Sequence, residues 1–172
     1  MLVVVEGPDG SGKTTLIEQL RNRGDSAYFV TLRPSGPPPS LAHVTRFAHL
    51  AGIAAKDETV LCDRFPPISE YVYGKVLRGH SLVTTDYLIR SLHEVTSIVY
   101  CRPCLKTLVQ NLETERQMAG VAENLLRLRG EYDATMDLIS QVVPTLYYDF
   151  QQPYPGINDF IYRFIGGTDD FI

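Results

Sequence analysis

The segment from Gly7 to Thr14 constrains the fold more than any other part of this chain. It reads G-P-D-G-S-G-K-T and fits the pattern G-x-x-x-x-G-K-[ST]. A strand-like apolar run from Leu2 to Val5 precedes it, and apolar residues at helical spacing follow it as far as Gly24. A strand, a glycine-rich turn and a helix in this order form an anion-binding nest, in which backbone N–H groups and the positive end of the helix dipole hold phosphates.

The residues of this segment predict a nucleoside triphosphate and a magnesium ion as ligands. Lys13 is expected to reach the outer phosphates, and the hydroxyl group of Thr14 is expected to bind Mg²⁺. ATP and Mg²⁺ are therefore the predicted cofactors. The residues expected to hold ATP are those of the turn and the start of the helix: Gly7, Pro8, Gly10, Ser11, Gly12, Lys13, Thr14 and Thr15.

The length and the charge of the chain limit the class of protein. With 172 residues the chain suits one large core, and we predict a single domain over residues 1–172. No apolar run approaches the roughly 18 residues of a membrane span, and the N-terminus lacks the basic lead of a secretory signal. We therefore expect no membrane partner and a cytoplasmic location, or the host cytoplasm if the chain is viral. A net charge of −4 disfavours a nucleic-acid partner.

The three cysteines do not predict a metal or redox site. Cys101 and Cys104 form a C-x-x-C, but no second pair of cysteines or histidines stands at zinc-site spacing. With Cys62 the number of cysteines in the chain is odd. Reduced thiols are the expectation for such a chain in the cytosol.

Strand-like and helix-like segments alternate along the chain, which predicts right-handed crossovers and a parallel sheet. The predicted fold is α/β and doubly wound, a P-loop NTPase fold with a five-stranded parallel sheet and helices on both faces. The proline-rich stretch 33–39 is predicted to be a loop, because too few residues precede it for a separate core. The predicted strands cover 2–5, 27–32, 59–63, 97–101 and 145–150. The predicted helices cover 13–23, 41–50 with Ser40 as N-cap, 66–77, 85–94, a helix with Pro103 in its first turn, 125–143 and 159–164.

Asp63 and Arg64 favour group transfer over hydrolysis. They end an apolar run, where a hydrolytic motor would carry a further carboxylate to activate water. An arginine cannot act as that base, but its planar fork suits phosphate oxygens. A GTPase would carry an N-K-x-D motif for guanine, and no lysine of this chain follows an asparagine. The acceptor of the transferred group is therefore a phosphorylated or hydroxylated molecule.

These motifs resemble those of the thymidylate kinase family of nucleoside monophosphate kinases. The matching residues are E-G-x-D-G-x-G-K-T-T at Glu6 to Thr15, Asp63-Arg64 after the third strand, Ser69 and Tyr73 downstream, and Pro34 after the second strand. The resemblance implies ATP- and Mg²⁺-dependent phosphorylation of a deoxynucleoside monophosphate, dTMP or a related nucleotide, to the diphosphate. It implies nucleotide partners, and it allows a homodimer formed through helices that flank the sheet.

The resemblance also implies roles around the acceptor nucleotide. Asp9 would face the sugar hydroxyl and support the magnesium shell, which explains an acidic residue in an anion-binding turn. Asp63 would lie near the metal and the acceptor, and Arg64 would clamp the acceptor phosphate. Tyr73 would lie beneath the acceptor sugar at its 2′ position, which favours deoxyribose, with plain helix packing as the alternative. The glutamine that family members carry after this tyrosine is replaced here by Gly74.

A lid is expected to supply the cation that the phosphate-binding turn lacks. Family members place an arginine in that turn or in a mobile lid, and residues 113–121 lie between two predicted helices, where the lid belongs. Arg116 is predicted to stabilise the migrating phosphoryl group, and Gln117 to contact the substrate. The alternative for Arg116 is an i,i+3 ion pair with Glu113 on a solvated helix. Arg102, after the fourth strand, would approach the donor nucleotide, with a plain surface position as the alternative. The predicted catalytic residues are thus Lys13, Asp9, Asp63, Arg64 and Arg116.

The acceptor base is the least constrained feature. Phe47 stands where the family stacks an aromatic ring on the base, and a place in the core explains it equally well. The arginine expected one turn later is replaced by Ala51, with Arg46 or Arg90 as alternatives. Rival functions are a deoxynucleoside kinase, a polynucleotide 5′-kinase and a nucleotide-binding regulatory module without catalysis. A nucleoside kinase would need a carboxylate base after the second strand, which the sequence lacks there.

Overall fold

The structure is a computed structural model that describes residues 1–22, 29–114 and 118–152. Strands and helices alternate along the chain, as the sequence predicts. The elements are β1 (Leu2–Glu6), α1 (Lys13–Arg21), β2 (Phe29–Leu32), α2 (Leu41–Ala54), β3 (Thr59–Asp63), α3 (Pro66–Arg78), α4 (Thr85–Ser91), β4 (Val95–Cys101), α5 (Leu105–Thr114), α6 (Leu125–Ile139) and β5 (Thr145–Tyr148).

The five strands form one parallel sheet in the order β2-β3-β1-β4-β5. β1 is the central strand, with β3 on one side and β4 on the other. The loops that leave the carboxyl ends of these three strands therefore meet at one edge, which is where ligands bind in open α/β sheets. The predicted α/β class and the predicted number of strands are confirmed.

Alternate residues of β1 point to opposite faces of the sheet and join two apolar clusters. Val3 and Val5 pack with buried residues of α1. Leu2 and Val4 belong to a larger cluster that α2, α3, α4 and α6 complete on the other face. Because each face needs its own apolar side chains, the strand is apolar at every position before its last residue.

Several element boundaries differ from the predicted ones. α4 ends at Ser91 and β4 already begins at Val95, because Val95 pairs with Leu2 of the central strand. α5 begins at Leu105, two residues after Pro103. Proline therefore precedes that helix and does not lie in its first turn.

The last two described elements are shorter than predicted. α6 ends at Ile139, although Val143 stays buried in the same apolar cluster beyond the helix. β5 ends at Tyr148. The predicted final helix, 159–164, lies outside the described residues, and so do positions 27 and 28 of the predicted second strand.

The helices of the described part are of ordinary globular length. None of them is both long and apolar enough to cross a membrane; α6 has 15 residues. Ser40 occupies the N-cap position of α2, as predicted, but its hydroxyl group contacts Nδ1 of His43 at 2.9 Å and accepts no backbone hydrogen bond.

Candidate active site

The turn after β1 has the backbone of a phosphate-binding loop. Gly10 and Gly12 have φ angles of 71° and 82°, in the left-handed region that residues with a Cβ disfavour. At Gly7 a Cβ atom would lie 2.5 Å from the carbonyl oxygen of Cys101 on β4. Asn111 of α5 donates a hydrogen bond of 2.6 Å to the Gly10 carbonyl group. Glycine is therefore required both for the turn and for the close approach to β4.

Lys13 is held inside this loop. Its Nζ donates hydrogen bonds to the carbonyl oxygen of Pro8 at 2.6 Å and to the hydroxyl group of Ser11 at 3.2 Å. Burial, together with the positive charge of Arg64, lowers the pKa of Lys13 from 10.5 to about 8. A phosphate oxygen is the kind of partner that would stabilise this buried ammonium group.

Thr14 and Asp63 bring two oxygen ligands together beside the loop. The hydroxyl group of Thr14 donates a hydrogen bond of 3.2 Å to Oδ2 of Asp63. A hydroxyl and a carboxylate suit Mg²⁺, which takes one or two ligands from a protein and the rest from water and phosphate. No three His, Cys, Asp or Glu side chains form a metal-binding group within residues 1–22, 29–114 and 118–152. Thr14 and Asp63 are thus two oxygen ligands that lie close together beside the loop.

Arg64 combines an unusual backbone with a fixed guanidinium group. Its φ angle of 75° is the one positive value at a non-glycine residue in the described chain, and such strain is typical of functional sites. Nη1 donates to the carbonyl oxygen of Gly7 at 3.1 Å and to the hydroxyl group of Tyr132 at 3.3 Å. Nη2 forms an ion pair with Asp9. Burial alone would lower the pKa of Arg64, but its neighbours, Tyr73 foremost, hold that pKa well above its ordinary value.

Asp9 joins the phosphate-binding loop to α3. Its Oδ2 accepts a hydrogen bond of 3.0 Å from the hydroxyl group of Tyr73, and its backbone N–H donates to the same hydroxyl group at 3.2 Å. Burial raises the pKa of Tyr73 above its ordinary value, so this hydroxyl group keeps its proton. Asp9, Arg64 and Tyr73 thus form one hydrogen-bonded group, here called the arginine cluster.

Glu6 lies beneath the arginine cluster, and sequence reasoning gives it no role. It is fully buried, and its two carboxylate oxygens accept four hydrogen bonds of 2.9 to 3.0 Å. The donors are the backbone N–H groups of Gly7 and Phe65 and the hydroxyl groups of Ser69 and Tyr132. A buried carboxylate is tolerated only with such partners. The sequence signal that points to it is an acidic residue at the end of an otherwise apolar strand.

A cavity of about 790 Å³ opens beside the arginine cluster. Its walls are α3, the proline-rich loop after β2 and the residues around Met118, and Asp9, Arg64 and Tyr73 all reach it. This volume is in the usual range for a small-molecule site. The charged lining residues that sequence reasoning missed are Arg33, Glu70 and Arg78.

Arg33 illustrates why these residues were missed. It directly follows β2, and its Nε lies 3.5 Å from Oδ2 of Asp63 at the end of β3. Its side chain is 66% exposed, and the residue lines the cavity. An arginine after a strand is the only sequence signal, and that signal is common on protein surfaces.

Phe47 and Arg102 are predicted to contact a ligand, but in the structure their contacts are with other parts of the protein, and neither residue lines the cavity. Phe47 is half-buried and packs against the larger apolar cluster. Arg102 donates hydrogen bonds of 2.7 and 2.9 Å to the carboxylate of Asp133 on α6. The nucleotide contacts of both residues stay predictions. Arg116 and Gln117 lie outside the described residues, and their roles stay predictions as well.

A second cavity, of about 480 Å³, lies between α2 and α4. Arg90, one alternative for reading the base, lines this cavity and forms an ion pair with Asp86 on its own helix. It does not line the cavity beside the arginine cluster. Arg90 therefore belongs to a different surface from that of the predicted site.

The cysteines are free thiols, as predicted. Cys62 and Cys101 are buried within the sheet, and burial raises the pKa of each to about 12. Cys104 is exposed at the start of α5. The C-x-x-C pattern therefore places one thiol inside the protein and one outside.

The sheet and the loop together define the class of fold. A parallel five-stranded sheet, with a glycine-rich anion-binding turn between its central strand and the next helix, is an α/β fold of the P-loop NTPase type. The P-loop NTPase fold that the sequence predicts is therefore confirmed.

Several solved structures share the fold. The YorR protein from Bacillus subtilis, in complex with phosphorylated GDP, has a TM-score of 0.68 and 18% identity over 95% of this chain and 92% of that chain. Deoxyadenosine kinase from M. mycoides with bound dATP has a TM-score of 0.64 and 16% identity over 95% of this chain and 98% of that chain. The same enzyme with the products dCMP and dCDP has a TM-score of 0.63, 14% identity and coverages of 95% and 97%.

Neither a protein-family description nor a curated protein matches this chain by sequence. At 14 to 18% identity, the structural similarity shows the shared fold alone. The reaction has to be inferred from the residues of the site.

Proposed function

We propose that this protein transfers the γ-phosphoryl group of ATP to the 5′-phosphate of a deoxynucleoside monophosphate. One observation carries the proposal: Arg64 lines the cavity and is bonded to two residues of the phosphate-binding loop, Gly7 and Asp9, and to Tyr73 of α3. A cation in this position suits an anionic acceptor beside the donor phosphates. The two nucleotides would meet end to end at the carboxyl edge of β1.

The residues of the chain would act mainly by positioning and by electrostatics. The loop amides and Lys13 hold the donor phosphates, and Arg64 holds the acceptor phosphate. Asp9 and Tyr73 fix that guanidinium group and present polar atoms to the acceptor sugar. Thr14 and Asp63 would hold Mg²⁺, which neutralises charge that builds up on the phosphates.

A monophosphate fits the site better than a neutral hydroxyl acceptor. A hydroxyl group must lose a proton to attack, which requires a free carboxylate or another base nearby. The carboxylates that line the described cavity are Asp9 and Glu70, and each is engaged by an arginine, Arg64 or Arg78. A phosphate oxygen is already ionised and needs no such base.

A deoxynucleoside kinase is the second candidate, because deoxyadenosine kinase is among the proteins of similar fold. A coupled assay with ATP and Mg²⁺ separates the alternatives. The acceptors are the four deoxynucleoside monophosphates, the four free deoxynucleosides and an oligonucleotide with a 5′-hydroxyl group. Diphosphate formed only from monophosphates supports the proposal. Product from nucleosides or the oligonucleotide alone contradicts it, and ATP binding without any product indicates a regulatory module.

A further inference from the structure

Glu70 and Arg78 form an ion pair in the wall of the cavity. The carboxylate is almost completely buried, and its Oε1 also accepts a hydrogen bond of 3.0 Å from the backbone N–H of Leu82. The side chain of Arg78 is 39% exposed. Within the described part of the chain, Glu70 is its one hydrogen-bond partner. Among the described residues no other atom accepts a hydrogen bond from the remaining N–H donors of this guanidinium group, and these donors can serve a ligand in the cavity.

The backbone of α3 is adapted to this ion pair. A Cβ atom at Gly74 would lie 2.8 Å from Nη2 of Arg78 and 2.9 Å from Oε1 of Glu70. The guanidinium group thus lies against the helix at a place where no side chain fits. Glycine destabilises the interior of a helix, so its presence here is explained by the space that the ion pair needs.

The charge of the pair decides which part of a ligand it can meet. Arg64 is also paired with a carboxylate, but it bonds the phosphate-binding loop, whose N–H groups and Lys13 attract phosphate. Arg78 is neutralised by Glu70 and makes no contact with that loop. A guanidinium group only donates hydrogen bonds, so its partner must be an acceptor. The nearby lining residues Leu77, Met118 and Ala119 are apolar or small, which suits a flat ring. A neutral ring with a carbonyl oxygen satisfies these conditions together.

We propose that Arg78, held by Glu70, reads a carbonyl group on the base of the acceptor nucleotide. This inference rests on the proposed function and adds the class of base. Guanine, cytosine and thymine each carry a ring carbonyl group, whose oxygen can accept two N–H groups, whereas adenine offers a guanidinium group only ring nitrogens with one lone pair each. The protein therefore accepts dGMP, dCMP or dTMP and discriminates against dAMP.

The test measures kcat/KM for all four deoxynucleoside monophosphates with the wild type and with Arg78→Ala. The wild type should use dAMP least well. Arg78→Ala should lower kcat/KM for the best substrate roughly 10- to 100-fold, as expected for loss of a hydrogen bond to a charged group, and should leave dAMP nearly unchanged. Arg78→Lys keeps a cation beside Glu70 and replaces Arg78→Ala in the test if the alanine variant does not fold. It should also lower kcat/KM for the best substrate and leave the value for dAMP nearly unchanged.

Lys75→Ala is a matched control. Lys75 lies on the same helix, its side chain is also 39% exposed, and it is also paired with a glutamate, Glu131, but it does not line the cavity. This variant should keep the wild-type order of substrates. If Arg78→Ala folds and keeps that order too, or if the wild type prefers dAMP, the inference is wrong.

Failure of the proposed function gives a different result. In that case the wild type makes no diphosphate from any monophosphate, and calorimetric titration with the four monophosphates decides the inference instead. Binding of dGMP, dCMP or dTMP that weakens in Arg78→Ala, with dAMP binding unaffected, supports it. Absence of such a pattern overturns it.

Discussion

The hydroxyl group of Tyr132 donates a hydrogen bond of 3.0 Å to the carboxylate of Glu6, and both residues are fully buried. The same hydroxyl group accepts a hydrogen bond of 3.3 Å from Nη1 of Arg64. One tyrosine of α6 therefore connects the end of the central strand to the cation beside the cavity. The direction of that guanidinium group depends on how α6 packs against the sheet.

Tyr132→Phe should weaken acceptor binding and lower stability. The change removes the hydroxyl group and leaves the Glu6 carboxylate and Arg64 each with one partner fewer, which should lower the free energy of unfolding by about 1 to 3 kcal/mol. It should raise KM for the acceptor more than KM for ATP. Tyr147→Phe is the control, because that hydroxyl group bonds Asp137 on the surface. Equal effects of the two changes would contradict a role for Tyr132 in holding Arg64.

Lys13→Met should abolish phosphoryl transfer and stabilise the nucleotide-free protein. The ammonium group would be lost from the phosphates, so turnover should fall below detection. The same change removes a buried positive charge that has no carboxylate partner within hydrogen-bonding distance among the described residues. Chemical denaturation at pH 7 should therefore show a higher free energy of unfolding for the variant. Retained transfer would contradict the assignment of the phosphate-binding loop.

The stability difference between wild type and Lys13→Met should depend on pH. In the folded state Lys13 loses its proton near its lowered pKa of about 8, whereas in the unfolded state it keeps the proton to about 10.5. The unfolded state binds more protons between these values, so the wild type gains stability as pH rises through this window, by up to about 3 kcal/mol. Denaturation curves at pH 7 and pH 10 should show the difference shrinking. A constant difference would show that Lys13 is not buried as a cation.

Gly74→Ala should destabilise the protein although alanine favours helices. Its Cβ atom would lie within 2.9 Å of Arg78, Glu70 and the carbonyl oxygen of His80, and such crowding lowers the free energy of unfolding by about 1 to 3 kcal/mol. Gly130→Ala on α6 is the matched control, because nothing lies within 4 Å of its added Cβ atom. That variant should be stabilised by about 0.5 to 1 kcal/mol. Thermal denaturation compares the two, and a stabilised Gly74→Ala would exclude the crowding.

Asp63→Asn should raise the Mg²⁺ concentration needed for half-maximal activity by at least about 10-fold, because the site loses a charged oxygen ligand. Thr14→Ala should act in the same direction. Activity measured against Mg²⁺ at saturating ATP gives both values. Asp86→Asn is the control, since that carboxylate lies on the surface of α4. An unchanged Mg²⁺ dependence in Asp63→Asn would place the cation elsewhere.

Arg116→Ala should lower turnover by on the order of 10³-fold with little change in acceptor binding, if this arginine stabilises the migrating phosphoryl group. Kinetics with saturating acceptor, together with calorimetry of acceptor binding, separate the two effects. A loss of acceptor affinity of similar size would assign Arg116 to binding. Arg127→Ala on the exposed side of α6 should leave both quantities unchanged.

Most of the fold was predictable because its signals are local. The run Leu2 to Val5, the glycine-rich turn and the helix after it are each specified by neighbouring residues, and alternation of such units predicts a parallel sheet. Helix ends were predicted less well. Ser91 and Ile139 end their helices earlier than the apolar pattern suggests, because residues beyond them pack or pair with distant parts of the chain.

The sequence by itself determined the phosphate-binding loop with Lys13 and Thr14, since consecutive residues set the backbone angles and N–H directions that bind an anion. Only the tertiary structure decided the surroundings of the cavity. Glu6 and Tyr132 are 126 residues apart, and the ion pair of Glu70 and Arg78 spans eight residues of a helix across a glycine. The contact of Glu6 with Tyr132 leaves no periodic pattern, because it arises from how α6 packs on the sheet. The ion pair of Glu70 and Arg78 joins two residues of one helix at a spacing wider than the i,i+3 and i,i+4 pairs that helical periodicity predicts.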